Sequence, residues 1–477
     1  MLFNSLHFFL FFIIVTPLYF VCPHRFRWLL LLSASCYFYM AFVPVYILIL
    51  GFTIIIDYFA GILLETTIGN KRRYWLIASL VANIGVLAVF KYYNFLNDNL
   101  SELLNSIGYH NTIPSLSILL PIGLSFHTFQ AMSYTIEVYR GHQKAERHFG
   151  IYALYVMFYP QLVAGPIERP QNLLHQFYEK HEFDYDRISE GLKMMLWGLF
   201  MKIVIADRLA IYVNAIYNNP AEHGGKSFAL ATVFFAFQIY CDFAGYSNIA
   251  IGTAKVMGFK LMTNFNRPYF SRSISEFWKR WHISLSTWFK DYLYISLGGN
   301  RVSIPRWYLN LFIVFTISGL WHGANWTFII WGAINGFYLV FAIVTENWRK
   351  GVNHLIGLDR FPKVLHAVQV LITFLLACFA WIFFRADNTQ EAFTIIQKIS
   401  SMSGPLFLDW SSSILPYSLF GIFLLLAVEI KKEFYKDSVS FINHPHALVR
   451  YATYIFLFLT ILLIGVFDGG QFIYFQF

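Results

Sequence analysis

Long apolar runs, separated by short polar stretches, repeat along almost the whole chain. A helix needs about 20 mostly apolar residues to cross the hydrocarbon core of a bilayer. The apolar runs predict about eleven membrane-spanning helices, near residues 5–22, 28–42, 44–63, 74–94, 114–138, 228–250, 308–321, 325–344, 365–384, 413–430 and 450–467. The pattern therefore predicts an all-α polytopic membrane protein.

Two further apolar stretches do not have the pattern of simple spans. Residues 149–170 contain three prolines and a glycine from Pro160 onward, and irregular backbone at membrane depth is tolerated only where protein or a cavity covers it. This stretch therefore predicts a re-entrant or broken helix. Residues 188–210 combine an apolar stripe at helical spacing with charged residues such as Lys202, which predicts a helix lying in the membrane interface.

The basic residues indicate how the chain is oriented in the membrane. Lys and Arg cluster in loops 24–27, 71–73, 140–147, 349–363 and 431–450, whereas loops 96–112 and 386–412 carry few of them. Cytoplasmic loops are enriched in these cations. One alternation satisfies all of these loops, and it predicts that both chain termini lie on the extracytoplasmic side of the membrane.

Composition agrees with a lipid-covered protein and excludes several other classes. Apolar residues make up 57% of the chain, aromatic residues 20% and charged residues 13%, against about 25% charged residues in soluble domains. The net charge of +9 comes with no basic tail and no nucleic-acid motif, so nucleic acid is not an expected partner. The four cysteines form no CxxC pair, and no metal site is expected.

The first candidate site is the segment 273–301. Ser273 and Glu276 form a capping-box pattern that predicts the start of a helix. At helical spacing its apolar face carries Trp278, Trp281, Leu285 and Trp288, and another face carries Lys279, His282, Ser286 and Lys290. The cationic face could hold the phosphates of an activated acyl donor. Alternatively, this is a juxtamembrane helix that faces lipid headgroups with its tryptophans in the interfacial belt.

The second candidate site is the motif GLWHGANW at 319–326. The apolar residues between Trp307 and His322 cover about 21 Å of helix, short of the roughly 30 Å hydrocarbon core, so we expect His322 to lie inside the protein. Gly319 and Gly323 allow close backbone approach beside it. A histidine at this depth could act as a general base that deprotonates a hydroxyl for attack on a thioester. Alternatively, it is hydrogen-bonded between helices.

Other polar residues fall inside apolar runs, among them Asp57, Gln130, Gln238 and Asp242. An acid at membrane depth needs a partner. Asn266 and Arg267 follow Asp242 closely in the chain and are its candidate partners. A helix-packing network is an equally good interpretation of these polar residues. The usual serine hydrolase, P-loop and zinc protease signatures are absent from the sequence.

Together these motifs resemble the membrane-bound O-acyltransferase family, and the resemblance covers nearly the whole chain. The bacterial branch it resembles includes the alginate and peptidoglycan O-acetylation membrane proteins and, more distantly, the D-alanyl transferase of teichoic acids. The resemblance rests on LPIGLSFHTFQAMSYTIEVYR at 120–140, QLVAGPIERP at 161–170, FQIYCDFAGYSNIAIG at 237–252, NFNRPYFSRSISEFWKRWHISLSTWFKDYLYISLGGN at 264–300, GLWHGANWTFIIWG at 319–332, WIFFRAD at 381–387 and the final FIYFQF.

The resemblance implies that His322 is the catalytic histidine and His282 the assisting one, at a position that often holds Asn or Asp in eukaryotic members. It also implies peripheral helices around a central tunnel. Candidate substrate-binding or tunnel-lining residues are Lys279, Ser286, Trp321, Asn325, Gln130, Asp242, Asn266 and Arg267. No bound cofactor is expected. Acetyl-CoA is the expected acyl donor, and an extracytoplasmic polysaccharide and an acetyltransferase-like or esterase-like partner protein are the expected acceptors.

On this interpretation residues 1–477 form one domain, with peripheral helices at about 1–110, a catalytic core at about 114–345 and C-terminal helices at about 365–477. Two other classes of function remain open. The chain could be a transporter or channel for acyl groups or polysaccharide, or a membrane scaffold for envelope enzymes. In the scaffold both histidines would be dispensable.

Overall fold

Each predicted span overlaps a helix in the computed structural model, which describes residues 1–117, 121–408, 413–435, 439, 441–467 and 472–473. Within these ranges the regular secondary structure is entirely helical. The first motif residue, Leu120, and the last four residues of the final FIYFQF lie outside the described residues. The structure therefore has the all-α architecture that the apolar pattern predicts.

The α-helices of the first half of the chain are α1 Leu6–Val21, α2 His24–Met40, α3 Ile47–Thr66, α4 Asn70–Leu87, α5 Tyr93–Ser106, α6 Leu124–Arg140, α7 Phe149–Met157, α8 Tyr159–Leu162, α9 Pro170–Leu173, α10 Tyr185–Leu199, α11 Asp207–Tyr217 and α12 Gly225–Met257. Those that follow are α13 Ile274–Arg280, α14 Ile283–Trp288, α15 Ile304–His322, α16 Trp326–Val344, α17 Glu346–Leu355, α18 Pro362–Arg385, α19 Thr389–Ser401, α20 Ile414–Phe434 and α21 Ala447–Ile464. Three π-helical segments, Ala88–Tyr92, Phe200–Ala206 and Phe289–Tyr294, continue α4, α10 and α14.

Seven helical segments within the described residues are long and apolar enough to cross a membrane. They are Pro44–Thr66, Asn70–Ser106, Gly225–Met257, Trp326–Val344, Pro362–Arg385, Ile414–Phe434 and Ala447–Ile464. The other four predicted spans correspond to α1, α2, α6 and α15, which have 16, 17, 17 and 19 residues. The protein is thus a multi-pass membrane protein, and the number of eleven spans stays a prediction.

The helices group into two compact units. One comprises Met1–Met195 with Tyr246–Met262, and the other comprises Leu196–Gly245 with Thr263–Phe477. The division of a single domain into peripheral, catalytic and C-terminal parts stays a prediction. His282 and His322 both belong to the second unit.

In the first unit, α3, α4 and α6 meet around a buried carboxylate. Asp57 is fully buried and accepts hydrogen bonds from Ser79 Oγ at 2.6 Å and from Asn83 Nδ2 at 2.9 and 3.0 Å. Ser79 also lies 3.0 Å from Thr135 Oγ1. Buried polar groups need such partners because burial removes their water. The helix-packing interpretation of Asp57 agrees with this network.

The first unit also contains the predicted broken helix. Helix α7 ends at Met157, and Phe158 has an extended backbone with φ −53° and ψ 111°. Pro160 has no N–H, so it cannot continue the α7 hydrogen-bond ladder. The Tyr155 carbonyl, released from that ladder, accepts hydrogen bonds from the side chains of Gln130 and Gln161. Gln130 therefore satisfies a backbone group at a helix break.

In the second unit, α15 and α16 form a helical hairpin held together by glycines. A Cβ atom added to Gly319 would lie 2.2 Å from the Phe328 carbonyl oxygen, and one added to Gly332 would lie 2.3 Å from the Phe315 carbonyl oxygen. The two backbones are therefore in direct contact. This bears out the close approach that Gly319 predicts beside His322.

Replacing Gly332 with alanine is expected to destabilise this hairpin, because overpacking a tight contact typically costs about 1–3 kcal/mol. The midpoint of thermal unfolding in detergent should fall. Gly351 in α17 is the matched control, since an added Cβ there meets nothing within 4 Å. Alanine is the better helix former, so Gly351→Ala should leave the midpoint unchanged or raise it. A Gly332→Ala protein as stable as the wild type would contradict the backbone contact.

The helix predicted over 273–301 starts where expected but does not continue. Ser273 Oγ accepts a hydrogen bond from Glu276 N at 3.2 Å and caps α13. The helix then breaks at Trp281 and His282, where His282 has a left-handed backbone with φ 42° and ψ 56°. Helix α14 begins anew at Ile283. The prediction of one continuous helix with a single cationic face is therefore wrong, since the break resets the periodicity.

Candidate functional site

His322 is the last residue of α15, and its side chain is 3% exposed. The helix ends here because Gly323 adopts an extended backbone, with φ −159° and ψ 147°. The imidazole packs against aromatic rings on three helices. Its centroid lies 5.0 Å from that of Trp321, 5.0 Å from that of Trp331 and 5.5 Å from that of Phe384. The prediction that His322 lies inside the protein is confirmed.

His282 lies at the junction of α13 and α14 and is 1% exposed. Its ring centroid is 4.6 Å from that of Phe243 and 6.2 Å from that of Phe265. Its Nδ1 atom is 3.1 Å from Asn264 Oδ1. The left-handed backbone thus turns this side chain inward, away from the exposed face where a continuous helix would place it.

Trp321 links the two histidines. Its ring centroid lies 6.4 Å from that of His282 and 5.0 Å from that of His322. Trp321 itself is 5% exposed. The structure therefore brings both predicted histidines against one buried indole ring, although they are far apart in the sequence.

An aromatic layer from α16 and α18 covers the other side of His322. Trp331 and Trp381 are stacked with centroids 5.7 Å apart, and Phe384 lies 5.1 Å from Trp331. Trp381 also lies 5.0 Å from Trp281, the residue before His282. This layer surrounds the histidine with rings that exclude water, and a low-dielectric surrounding strengthens electrostatic interactions with a reacting group.

The lysine of the predicted cationic face does not lie on the same face as His282. Lys279 is exposed, whereas His282 is buried, so the two side chains do not share a face. Ser286 donates a hydrogen bond to the Trp281 carbonyl at 3.2 Å and thereby stabilises the break. Within the described structure Ser286 has a backbone partner, and a direct role of Lys279 at His282 is not supported.

Asn325, beside His322 in sequence, is the N-cap of α16. Its Oδ1 accepts a hydrogen bond from Thr327 N at 3.0 Å, and its Nδ2 donates to the Asp387 carbonyl at 2.9 Å. Asn325 therefore fixes the turn after His322 and ties it to the WIFFRAD motif at the end of α18.

Arg267 does not pair with Asp242, which corrects the partner expected from the sequence. Arg267 Nε lies 2.7 Å from Glu433 Oε2, and Arg280 binds both oxygens of Glu433 at 3.0 and 2.9 Å. Arg280 also donates to Glu276 at 2.6 Å. Burial raises the pKa of Glu276, but hydrogen bonds from the Arg272 backbone and from Arg280 outweigh it and hold that pKa below its usual value.

Asn266 is exposed, and its backbone N–H donates to the Arg280 carbonyl at 2.9 Å.

The partner of Asp242 is Lys202. Lys202 Nζ lies 2.6 Å from Asp242 Oδ1 and 2.7 Å from Asp207 Oδ1, and all three side chains are at most 5% exposed. Lys202 belongs to the π-helical segment Phe200–Ala206, in which every residue is buried. The prediction that Lys202 belongs to a helix lying in the membrane interface is wrong, because the acids of α11 and α12 hold the lysine inside.

Asp242 has a second partner in the C-terminal part of the chain. Its Oδ2 atom accepts a hydrogen bond from Ile473 N at 2.7 Å. The neighbouring Phe472 packs on Phe243, with centroids 5.5 Å apart, and Phe243 contacts His282. Asp242 thus holds a segment that supports the ring behind His282, and its carboxylate is engaged by protein groups.

The sequence reasoning missed Asn264, the hydrogen-bond partner of His282. Its position carried no periodic signal, and the only indication was a polar residue within the aromatic stretch 264–270. Lys202 was missed as a partner for a different reason. A lysine inside the apolar run FMKIVIA at 200–206 is itself a buried cation, and Asp242 required one.

The described residues contain no group of three or more His, Cys, Asp or Glu side chains placed to hold a metal ion. At His282 the hydrogen-bonding groups are the Asn264 amide and the Ser284 hydroxyl. What the site offers is a pair of buried imidazoles, one of them hydrogen-bonded to Asn264, inside an aromatic enclosure.

Comparison with known proteins gives matches across this same region. The model of MBOAT, the membrane-bound O-acyltransferase family, matches residues 142–386, which include both histidines. The probable alginate O-acetylase AlgI of Pseudomonas aeruginosa is 41% identical over 402 residues, which are 83% of this chain and 74% of that protein.

Two other relatives have different names. The peptidoglycan O-acetyltransferase of Helicobacter pylori is 36% identical over 406 residues, or 79% of this chain and 74% of that protein. The teichoic acid D-alanyltransferase of Bacillus subtilis is 28% identical over 285 residues, or 57% of this chain and 70% of that protein. The extent of these matches confirms the resemblance carried by the sequence motifs. The chain belongs to the membrane-bound O-acyltransferase family.

Proposed function

We propose that this acyltransferase moves an acetyl group from a cytoplasmic donor across the membrane for O-acetylation of a cell-envelope polysaccharide. The relatives with 36 to 41% identity are named for O-acetylation of alginate or peptidoglycan, which supports this class of acceptor. The acetyl group reaches the polymer directly or through an extracytoplasmic partner protein of the acetyltransferase or esterase type.

The observation that carries the proposal is the placement of His282 and His322 against Trp321. Both imidazoles are at most 3% exposed. Burying a polar ring at that depth costs free energy, so a histidine there is a functional hypothesis by default. The aromatic enclosure around His322 suits a step in which water must not compete with the acceptor. We assign His322 as the general base and His282 as the assisting histidine.

The proposed reaction is acyl transfer from a thioester, with acetyl-CoA as the donor. His322 removes the proton of the acceptor hydroxyl while its oxygen attacks the acetyl carbonyl carbon. A new C–O ester bond forms, the C–S bond of the thioester breaks, and the sulfur leaves as a thiolate. The proton on His322 then passes to that thiolate, which leaves as the free thiol and restores the neutral imidazole.

The two substrates would enter from opposite sides through the tunnel that the family resemblance implies. The basic loops 24–27, 349–363 and 431–450 support a cytoplasmic location for these loops and an N-terminus outside the inner membrane. The C-terminus is proposed to be extracytoplasmic as well. Residue 477 itself is not among the residues that the structure describes. His322 ends α15, which begins at Ile304 beside the basic residues Arg301 and Arg306, and we propose that it lies away from the cytoplasmic surface.

The decisive experiment separates chemistry from transport. Purified protein in liposomes is given acetyl-CoA labelled in the acetyl group outside, with alginate or peptidoglycan fragments inside and hydroxylamine as a small-nucleophile alternative. An enzyme should move label covalently onto the acceptor or the hydroxylamine. Intact labelled donor inside the vesicles, without covalent label on any acceptor, would identify a transporter and overturn the proposal. Unchanged donor outside, with no label transferred, would overturn it as well.

A further inference from the structure

The environment of His282 determines which of its two ring nitrogens carries the proton. Asn264 and Ser284 surround its Nδ1 atom, and both are at most 1% exposed. Four polar contacts join the three residues. The position of each hydrogen and the orientation of the amide follow from which neighbouring atoms can donate and which can accept a hydrogen bond. The four contacts can therefore be assigned one at a time.

The first step fixes the orientation of the Asn264 amide. The backbone N–H of Ser284 points at one terminal atom of this side chain at 3.2 Å. A backbone N–H can only donate, so the atom facing it has to be the amide oxygen. Asn264 Oδ1, and not its Nδ2, therefore faces the α13–α14 junction.

The second step fixes the Ser284 hydroxyl. Its oxygen lies 2.9 Å from Asn264 Oδ1 and 3.5 Å from His282 Nδ1. The single hydroxyl proton follows the shorter contact, because the longer one is at the limit of a hydrogen bond. Ser284 thus donates to Asn264 and does not supply a proton to the imidazole.

The third step concerns His282 itself. Its Nδ1 atom lies 3.1 Å from Asn264 Oδ1, which is an acceptor only. Nδ1 therefore has to carry a hydrogen and donate it. Phe243, Phe265 and Trp321 also pack against the ring, and an apolar surrounding favours the neutral imidazole over the charged one. In a neutral ring with a proton on Nδ1, the Nε2 atom carries the lone pair.

We infer that Asn264 is a positioning residue that holds His282 in the Nδ1–H tautomer, so that Nε2 is the ring nitrogen that carries the lone pair in the acyl-transfer reaction. The inference rests on the proposed role of His282 in that reaction. Asn264 also binds the backbone next to His282. Its carbonyl accepts from Ile283 N at 2.8 Å, so the side chain and the main chain of one residue both hold the start of α14.

The Nδ1–H tautomer determines what the Nε2 atom of His282 can do. In the neutral ring it accepts a hydrogen bond or a proton, and it cannot donate one. His282 would therefore assist by orienting the acceptor hydroxyl or by receiving a proton. It would not stabilise the developing oxyanion of the tetrahedral intermediate, since that task requires a donor.

The direct test is the ¹⁵N spectrum of the full-length protein, labelled at its histidines and reconstituted in liposomes. Protonated and unprotonated ring nitrogens have well-separated chemical shifts. The resonance pair absent from His282→Asn identifies His282 among the 15 histidines. We expect a protonated Nδ1 and an unprotonated Nε2. A protonated Nε2 on this ring would overturn the inference whether or not the protein transfers acyl groups.

The functional test compares two variants of similar size. Asn264→Asp keeps an acceptor oxygen beside Nδ1 and should retain the tautomer and much of the turnover. Asn264→Leu removes the acceptor, and kcat for label transfer from acetyl-CoA should fall by about 10- to 10⁴-fold, the upper bound being that of a histidine held in the wrong tautomer. KM should change little, because Asn264 is not proposed to touch the donor.

A merely structural role of Asn264 would give a different set of results. Asn264→Leu would then lose thermal stability and total activity together, while the ¹⁵N spectrum of the folded fraction kept the protonated Nδ1. That pattern would overturn the inference. If the wild type itself transferred no label, the proposed function would fail instead, and the tautomer would still be decided by the spectrum.

Discussion

Replacing His322 with alanine is expected to lower the rate of acyl transfer by a factor of about 10² to 10⁴, the usual contribution of a general base. The imidazole is enclosed by Trp321, Trp331 and Phe384. Label transfer from acetyl-CoA in liposomes measures the rate, and ¹⁴C counting resolves a loss of this size.

The loss should occur without loss of the folded protein, because one imidazole is a small part of the aromatic packing. His322→Gln, which restores most of the volume, should recover stability but not activity. His354 provides the matched control, since it lies on the surface and pairs with Asp359 at 2.7 Å. His354→Ala should keep full activity. An active His322→Ala protein would remove the general base from the proposed mechanism.

Replacing Lys202 with methionine is expected to lower the free energy of unfolding by about 3–5 kcal/mol, the usual result of removing one partner from a buried ion pair. Methionine has an unbranched side chain of similar length to lysine, but the substitution leaves Asp207 and Asp242 as two buried carboxylates without their cation. Thermal or denaturant unfolding of the detergent-solubilised protein measures the effect. The yield of monodisperse protein should fall in parallel.

The origin of this loss can be tested by neutralising the acids. Adding Asp207→Asn and Asp242→Asn to Lys202→Met removes the uncompensated charge and should restore a large part of the stability. Lys350 gives the control, because its pair with Glu346 is exposed and solvent screens such pairs, so they contribute little to stability. If Lys202→Met were no more harmful than Lys350→Met, the buried ion network would be wrong.

Much of the fold follows from the sequence because hydrophobicity is a strong and local signal. Each apolar run coincides with a helix, since a helix satisfies its own backbone hydrogen bonds where water is absent. The Ser273 cap and the proline break after α7 were also predictable, because capping and missing N–H groups act over a few residues. The burial of His322 followed from the short apolar run that precedes it.

The site itself was only partly predictable. Helical periodicity assigned His282 and Lys279 to one face, but a left-handed residue at the start of α14 rotates everything that follows it. At this turn His282 is hydrogen-bonded to Asn264, a residue 18 positions upstream that no local pattern connects to it. Contacts between distant parts of the chain are what sequence periodicity leaves out.

The pairing of Asp242 illustrates the same limit for charges. Arg267 was nearer in sequence, yet Lys202 is the partner, and Arg267 pairs with Glu433 on α20. Electrostatic partners are chosen by distance in space and by shared burial. A rule based on sequence proximity therefore assigned the right kind of partner to Asp242 but the wrong residue.

The left-handed backbone at position 282 restricts which amino acids can occupy it before any chemistry is considered. Outside glycine, this conformation costs most side chains about 1–2 kcal/mol, while Asn, Asp and His adopt it more readily than others. These are the residues that the family resemblance places there. Substitutions at this position are therefore restricted by main-chain geometry before the chemistry of the side chain is considered.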